Sequence, residues 1–268
     1  MIHIDHLKKS YDSFTLDCSL DIPKGIITGI IGMNGAGKST LFKSILDINP
    51  IDEGNIQIPD KQDIGVVLSE TGFSEFFTVS DIISILKCTY KRFDEDLFHS
   101  YCQRFDIPLD KKTRTFSTGM KAKLNIIIAL THHAKLLILD EPTAGLDVLT
   151  RDEILDILRD YMEQEDCTIL ISSHISSDLE SLCDDLYVID HGQIIMHEEM
   201  DTLLSQYGVL KVSKEDYDNL DKDYLLEVMK EPCLTNVRQF YSENYPTIVI
   251  EQNHIDTMIP ILLKGERL

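Results

Sequence analysis

Two groups of residues have types and spacing suited to chemistry. The first is Gly32-Met33-Asn34-Gly35-Ala36-Gly37-Lys38-Ser39-Thr40, directly after the apolar run Ile26–Ile31. Its glycines let main chain wrap closely around a phosphate, and a helix opening there adds free N–H groups and a favourable dipole. Lys38 supplies positive charge for β- and γ-phosphates, and the Ser39 hydroxyl suits Mg²⁺. The second group is Leu136-Leu-Ile-Leu-Asp140-Glu141, an apolar run ending in two carboxylates. Asp140 is placed to hold Mg²⁺, mostly through water, and Glu141 to polarise an attacking water as general base or water-orienting group. A glycine-rich turn or a solvated acidic turn would explain either group alone. Together they predict binding and hydrolysis of a nucleoside triphosphate.

Such groups need a scaffold that ends strands and opens helices at fixed places. Ile26–Ile31, Ile64–Leu68, Leu136–Leu139, Thr168–Ser172 and Leu186–Ile189 are short apolar, β-branched runs, the pattern of parallel strands covered on both faces. Helical patterns alternate with them. Thr150-Arg-Asp-Glu153 reads as a capping box before Ile154, Leu158, Tyr161 and Met162, and Ser177-Asp-Leu-Glu180 as a second. The alternation predicts a three-layer α/β domain. From about residue 73 to 132 the apolar positions (Ile82, Ile85, Leu86; Leu97, Tyr101, Phe105) have helical spacing and no strand-like run intervenes, which predicts an inserted helical subdomain. Phe73, Phe76 and Phe77 open that insert; they either fill its core or form an exposed apolar docking surface. After about residue 208 the chain becomes acidic and less regular, and Ile255, Met258, Ile259, Leu262 and Leu263 mark one face of a further helix. The expected division is a domain over 1–208 and an accessory segment over 209–268.

The surroundings of the two groups resemble the ABC transporter ATP-binding subunits, over roughly residues 1–200. Phe116-Ser117-Thr118-Gly119-Met120 stands before the acidic strand, where that family has its Leu-Ser-Gly-Gly-Gln signature. Glu141-Pro-Thr-Ala-Gly-Leu-Asp147 matches its D-loop, His174 follows the next strand as its switch histidine does, and Tyr11 precedes the phosphate loop as does its adenine-stacking aromatic. The resemblance implies a P-loop NTPase core of the ABC ATPase type, with the helical insert and a small α+β appendage. It implies ATP and Mg²⁺ as ligands, with ATP held by Tyr11, Gly32, Asn34, Gly35, Ala36, Gly37, Lys38, Ser39 and Thr40. It assigns Glu141 and His174 to catalysis. It places Ser117, Gly119 and Met120 against ATP on a facing subunit, so the working form is a homodimer or heterodimer of ATP-binding subunits. The family glutamine that contacts Mg²⁺ is missing: Ser69 takes its position, with Glu70 next. In the signature Thr118 replaces a glycine, which stiffens the loop and disfavours positive φ. The Ser-Xaa-Gly-Met signature and the absent glutamine resemble the branch serving bacterial peptide and antibiotic exporters.

Composition narrows the partners. The 268 residues carry a net charge of -21, which repels phosphate backbones, so nucleic acid is not expected as partner. Six scattered cysteines without CxxC or zinc spacing predict a reducing compartment and core thiols. Met1-Ile-His-Ile-Asp lacks a leader pattern, and no apolar run reaches bilayer-spanning length. The expected location is therefore cytoplasmic, peripheral at the inner face of the cell membrane, with a separate transmembrane permease as partner. The competing class is an ABC ATPase acting in translation or DNA maintenance. Such relatives carry two cassettes and a charged linker, or a long coiled coil; this chain has one cassette and no heptad run.

Overall fold

The computed structural model describes the whole chain except residues 1, 69–71, 165–166, 213–216, 218, 224, 229–232, 252–253, 265 and 268. In chain order, β1 (Ile2–Tyr11) and β2 (Phe14–Ile22) form an antiparallel pair; β3 (Ile27–Ile31) leads into α1 (Lys38–Ile45), then β4 (Glu53–Gln57) and β5 (Ile64–Val67) follow. The insert holds the helices α2 (Val79–Thr89), α3 (Glu95–Arg104) and α4 (Thr118–Leu130), with a short 3₁₀ turn at Thr113–Thr115. Next come β6 (Leu136–Asp140), α5 (Val148–Gln164), β7 (Thr168–Ser172), α6 (Ser176–Leu182), β8 (Asp185–Asp190) and β9 (Gln193–Glu199). The remaining elements are α7 (Met200–Gln206), β10 (Gly208–Lys211), β11 (Leu225–Val228), β12 (Cys233–Thr235), α8 (Arg238–Asn244), β13 (Val249–Glu251), α9 (Ile255–Lys264) and β14 (Glu266–Arg267).

The predicted strands are all present, within a residue or two of their predicted ends. They lie in a six-stranded sheet of order β5-β6-β7-β3-β8-β9. Every residue of β3, β6 and β7 is buried, which is why these runs lack polar alternation. β5, β6, β7 and β3 pair in parallel. A separate three-stranded sheet, β2-β1-β4, was not among the predicted elements. It buries Leu16, Cys18, Leu20 and Ile22 at every second position of β2, in one core with Leu41 and Phe42 of α1 and Ile30, Ile138 and Leu170 of the large sheet.

The chain divides into two compact units, Met1–His174 with Tyr187–Ile195, and Ile175–Leu186 with Met196–Leu268. The second unit thus takes in residues earlier than 208. It contains the antiparallel sheet β13-β10-β12-β11-β14, whose core includes Leu210, Cys233 and Tyr241. α9 packs on α6 within this unit, and Glu180 accepts from the Ile255 N–H at 2.5 Å.

Several local expectations are corrected. α5 begins at Val148, and the Asp147 carboxylate accepts from the N–H and hydroxyl of Thr150; the cap is therefore Asp147, and Thr150 is already helical. The Ser177 box does not form, because α6 starts at Ser176 without a side-chain cap and Glu180 serves α9 instead. The buried face of α9 is Ile255, Met258 and Ile261; Ile259, Leu262 and Leu263 are only half-buried. Phe76 and Phe77 do not fill the core of the insert: Phe76 is 66% exposed and Phe77 is exposed too, whereas Phe73 is half-buried. Five cysteines are buried as expected, but Cys88 is exposed. Burial pushes the thiols of Cys18 and Cys102 up to about 12 and that of Cys233 to about 11, so they act as neutral packing groups.

The insert meets the sheet closely at Gly65. A Cβ on Gly65 of β5 would stand 2.3 Å from the Ala129 carbonyl oxygen of α4. Gly65→Ala is therefore expected to destabilise the protein by about 1–3 kcal/mol through overpacking, read as a lower urea midpoint with an unchanged slope.

Candidate nucleotide site

The site begins where β3 ends. Gly37, the residue before α1, holds φ at 116°, a conformation glycine adopts without strain. Its Cα also lies against the Phe14 ring, since a Cβ there would come 2.9 Å from Cζ. No side chain caps α1, so the N–H groups of its first turn are open to an anion. Lys38 is buried, and its ammonium donates to the Gly32 carbonyl at 2.8 Å while standing 3.5 Å from Glu141 Oε1.

The carboxylates come from the neighbouring strands. Parallel register sets Asp140 of β6 opposite Ser172 of β7. Both are buried, and the Ser172 hydroxyl donates to Asp140 Oδ1 at 2.7 Å. The Ser172 hydroxyl oxygen in turn accepts from the Glu141 N–H at 3.0 Å. Glu141 itself stands at φ 52°, a left-handed conformation that costs roughly 1–3 kcal/mol and persists only where surroundings enforce it. Those surroundings include Ser172, and also His174, whose N–H and Nδ1 approach Glu141 Oε2 at 3.1 and 2.5 Å. Lysine, carboxylate and imidazole thus meet around one side chain.

These residues line a cleft of about 410 Å³ formed by Asn34, Gly35, Gly37, Lys38, Ser39, Thr40, Glu141 and His174, with Phe14, Met33 and Ala144. Ala36 lies buried in the core below the loop, and Asp140 is buried next to Glu141 in the chain. Tyr11 is not part of this lining; its ring lies 6.3 Å from that of Phe14, and its hydroxyl accepts from Asn49. Ser117, Gly119 and Met120 are elsewhere, at the start of α4, where the Ser117 hydroxyl accepts from the Met120 N–H at 3.2 Å. Neither Thr118 nor Gly119 has positive φ, so the expected strain of threonine in the signature does not arise. Ser69 and Glu70 lie outside the described residues.

Sequence reasoning missed Phe14 and Ser172. Each carried a signal: an aromatic near the phosphate loop, and a polar residue closing a buried strand. The available donors, the Ser39 hydroxyl and the Asp140 carboxylate, are hard oxygens suited to Mg²⁺. Among the described residues no group of three or more His, Cys, Asp or Glu could hold a metal alone.

The fold and the cleft define a P-loop nucleotide-binding domain. A family model described as ABC transporter matches residues 16–144. The chain is 30% identical over 259 residues to the ABC transporter ATP-binding protein YtrB of Bacillus subtilis (strain 168), covering 92% of this chain and 87% of that one. It is 35% identical over 212 residues to the lantibiotic transport ATP-binding protein SrtF of Streptococcus pyogenes, covering 75% and 92%. Its fold matches a solved ATP-binding subunit of an ABC transporter with a TM-score of 0.69 at 24% identity, over 77% of this chain and 92% of that one. The chain belongs to the ABC transporter ATP-binding proteins. It binds ATP, is an ABC-type ATPase and serves ATP-driven transport. Among its described residues no helix is long and apolar enough to cross a membrane.

Ser172 supports both carboxylate residues, so its loss should be felt in chemistry rather than in binding. Ser172→Ala is expected to lower the turnover of ATP about tenfold while ATP affinity stays within about twofold. Steady-state hydrolysis and titration with a fluorescent ATP analogue measure the two.

Proposed function

We propose that the chain binds Mg-ATP in the cleft above α1 and hydrolyses it as one half of a dimer that drives a separate transmembrane permease. The observation that carries this reading is the meeting of Lys38, Glu141 and His174 at the mouth of an open helix N-terminus. Lys38 neutralises the β- and γ-phosphates, Glu141 orients and polarises the attacking water, and His174 contacts the γ-phosphate. Ser39 and Asp140 would hold Mg²⁺, with Ser69 as a further oxygen donor; such an ion would supply positive charge to the phosphates. Tyr11, beside Phe14, offers an aromatic face to adenine, where stacking needs only a π surface.

Ser117, Gly119 and Met120 lie outside this cleft; Ser117, which caps α4, is exposed, and Gly119 in its first turn is half-buried. That placement supports the reading in which they complete the site of a facing subunit. The nucleotide-binding domain is read over residues 1–208, with the insert at about 73–132, and the accessory segment over 209–268, although Ile175–Leu186 and Met196 onward fall in the second compact unit. The exposed Phe76 and Phe77 supply an apolar surface for the permease. The protein works at the cytoplasmic face of the membrane. The identity to a lantibiotic transport protein, together with the Ser-Xaa-Gly-Met signature, supports export of a peptide or antibiotic-like substrate.

Glu141→Gln is expected to retain ATP binding, lose hydrolysis by at least about a hundredfold and dimerise in Mg-ATP. Light scattering after size exclusion reads the dimer; a monomer at saturating Mg-ATP would count against the shared-site reading. Phe76→Ser is expected to abolish co-purification of the permease with ATP affinity within about twofold of the parent. Loss of ATP binding instead would assign the ring to the fold.

A further inference from the structure

We propose that Thr150 is a positioning residue that joins the loop carrying Glu141 to the signature turn of the same subunit, and so couples the two nucleotides of the dimer. The inference rests on the proposed reading that the signature serves the ATP of the facing subunit.

The first turn of α5 has little packing of its own. Val148 and Leu149 are exposed by 63% and 77%, and the fully buried positions of this helix begin at Ile154. Thr150 alone of the first three residues is half-buried. It makes two different contacts. Its hydroxyl donates to Asp147 Oδ2 at 2.8 Å and its N–H to Asp147 Oδ1 at 3.1 Å, and these donations hold the Asp147 carboxyl below the usual carboxylate range. Its methyl carbon faces Gly119, where a Cβ would stand only 3.0 Å from Thr150 Cγ2 and 3.3 Å from Oγ1. A glycine at 119 is what lets the threonine come this close. The Lys123–Glu153 ion pair links α4 to α5 again, one turn further along both helices.

The polar side of Thr150 therefore ends the segment Glu141–Asp147, whose first residue faces the nucleotide of its own subunit. The apolar side sets the turn that contains Ser117 and Gly119, which faces the nucleotide of the other. A displacement of either is felt by the other through Thr150. Because the two contacts use different atoms, they can be broken separately. Thr150→Val keeps the methyl group against Gly119 and removes the hydroxyl; Thr150→Ser keeps the hydroxyl and removes the methyl.

The test uses the full chain, with turnover measured in the otherwise unaltered protein and ATP-driven dimerisation in Glu141→Gln. Thr150→Val is expected to lower turnover about tenfold with dimerisation within about twofold of its parent. Thr150→Ser is expected to weaken dimerisation about threefold or more with turnover per dimer within about twofold. Affinity of the monomer for a fluorescent ATP analogue stays unchanged in both, because Thr150 does not line the cleft. Normal turnover in Thr150→Val, or normal dimerisation in Thr150→Ser, overturns the proposal. So do equal losses of both readouts in both variants, in step with a lowered melting temperature, since that is the signature of a merely structural residue. A Glu141→Gln parent that stays monomeric in Mg-ATP overturns the shared-site reading itself, and the coupling with it.

Discussion

Asp140 is a carboxylate at the end of a strand whose every residue is buried, and an isolated charge there would be costly. The hydrogen bond from Ser172 is what makes its position tenable, and it exists only because β6 and β7 are parallel and in register, residue opposite residue, from Leu136 and Thr168 onward. A shift of one residue would turn Ser172 to the other face of the sheet. The same hydroxyl accepts from the Glu141 N–H, so the register fixes both acids. The continuous apolar runs of β3, β6 and β7 are thus more than a core: they set the alignment on which the placement of the two carboxylates depends.

Glu141 shows how that rigidity is used. A glutamate at φ 52° is not a conformation the chain adopts by preference, and four groups around it oppose relaxation: the carbonyl and hydroxyl of Ser172, the imidazole of His174 and the Lys38 ammonium. Their combined hold sets the carboxylate between a cation and an imidazole at the mouth of the cleft. Pre-organisation of this kind lowers the reorganisation needed when charge develops in the reaction.

The parts most legible in the sequence were those with fully buried parallel strands and fixed loop chemistry. Thr168–Ser172 could be read to the residue, and the phosphate loop could be placed because glycine, lysine and serine have separable jobs there. β1 and β2 were harder. Each is buried on one face only, and β1 carries a register shift between Ile4 and Leu7 that breaks its alternation. Capping was misassigned at Thr150 because threonine and aspartate compete for the same role, and the choice depends on where the chain turns after Gly145. Ser172 and Phe14 carried only weak signals as site residues, for a different reason. Their importance comes from what stands opposite them, across strands and loops distant in sequence.

One exposed thiol among six gives the molecule an unplanned spectroscopic handle. Cys88 lies near the end of α2 on the helical insert, while the other five cysteines are shut inside the fold. A maleimide dye or nitroxide would react there in the native chain, without the removal of competing sulfurs. In an assembly of two such chains the label would appear twice, once on each insert. Dipolar or energy-transfer distances between the two copies would then follow how the inserts move through a cycle of turnover.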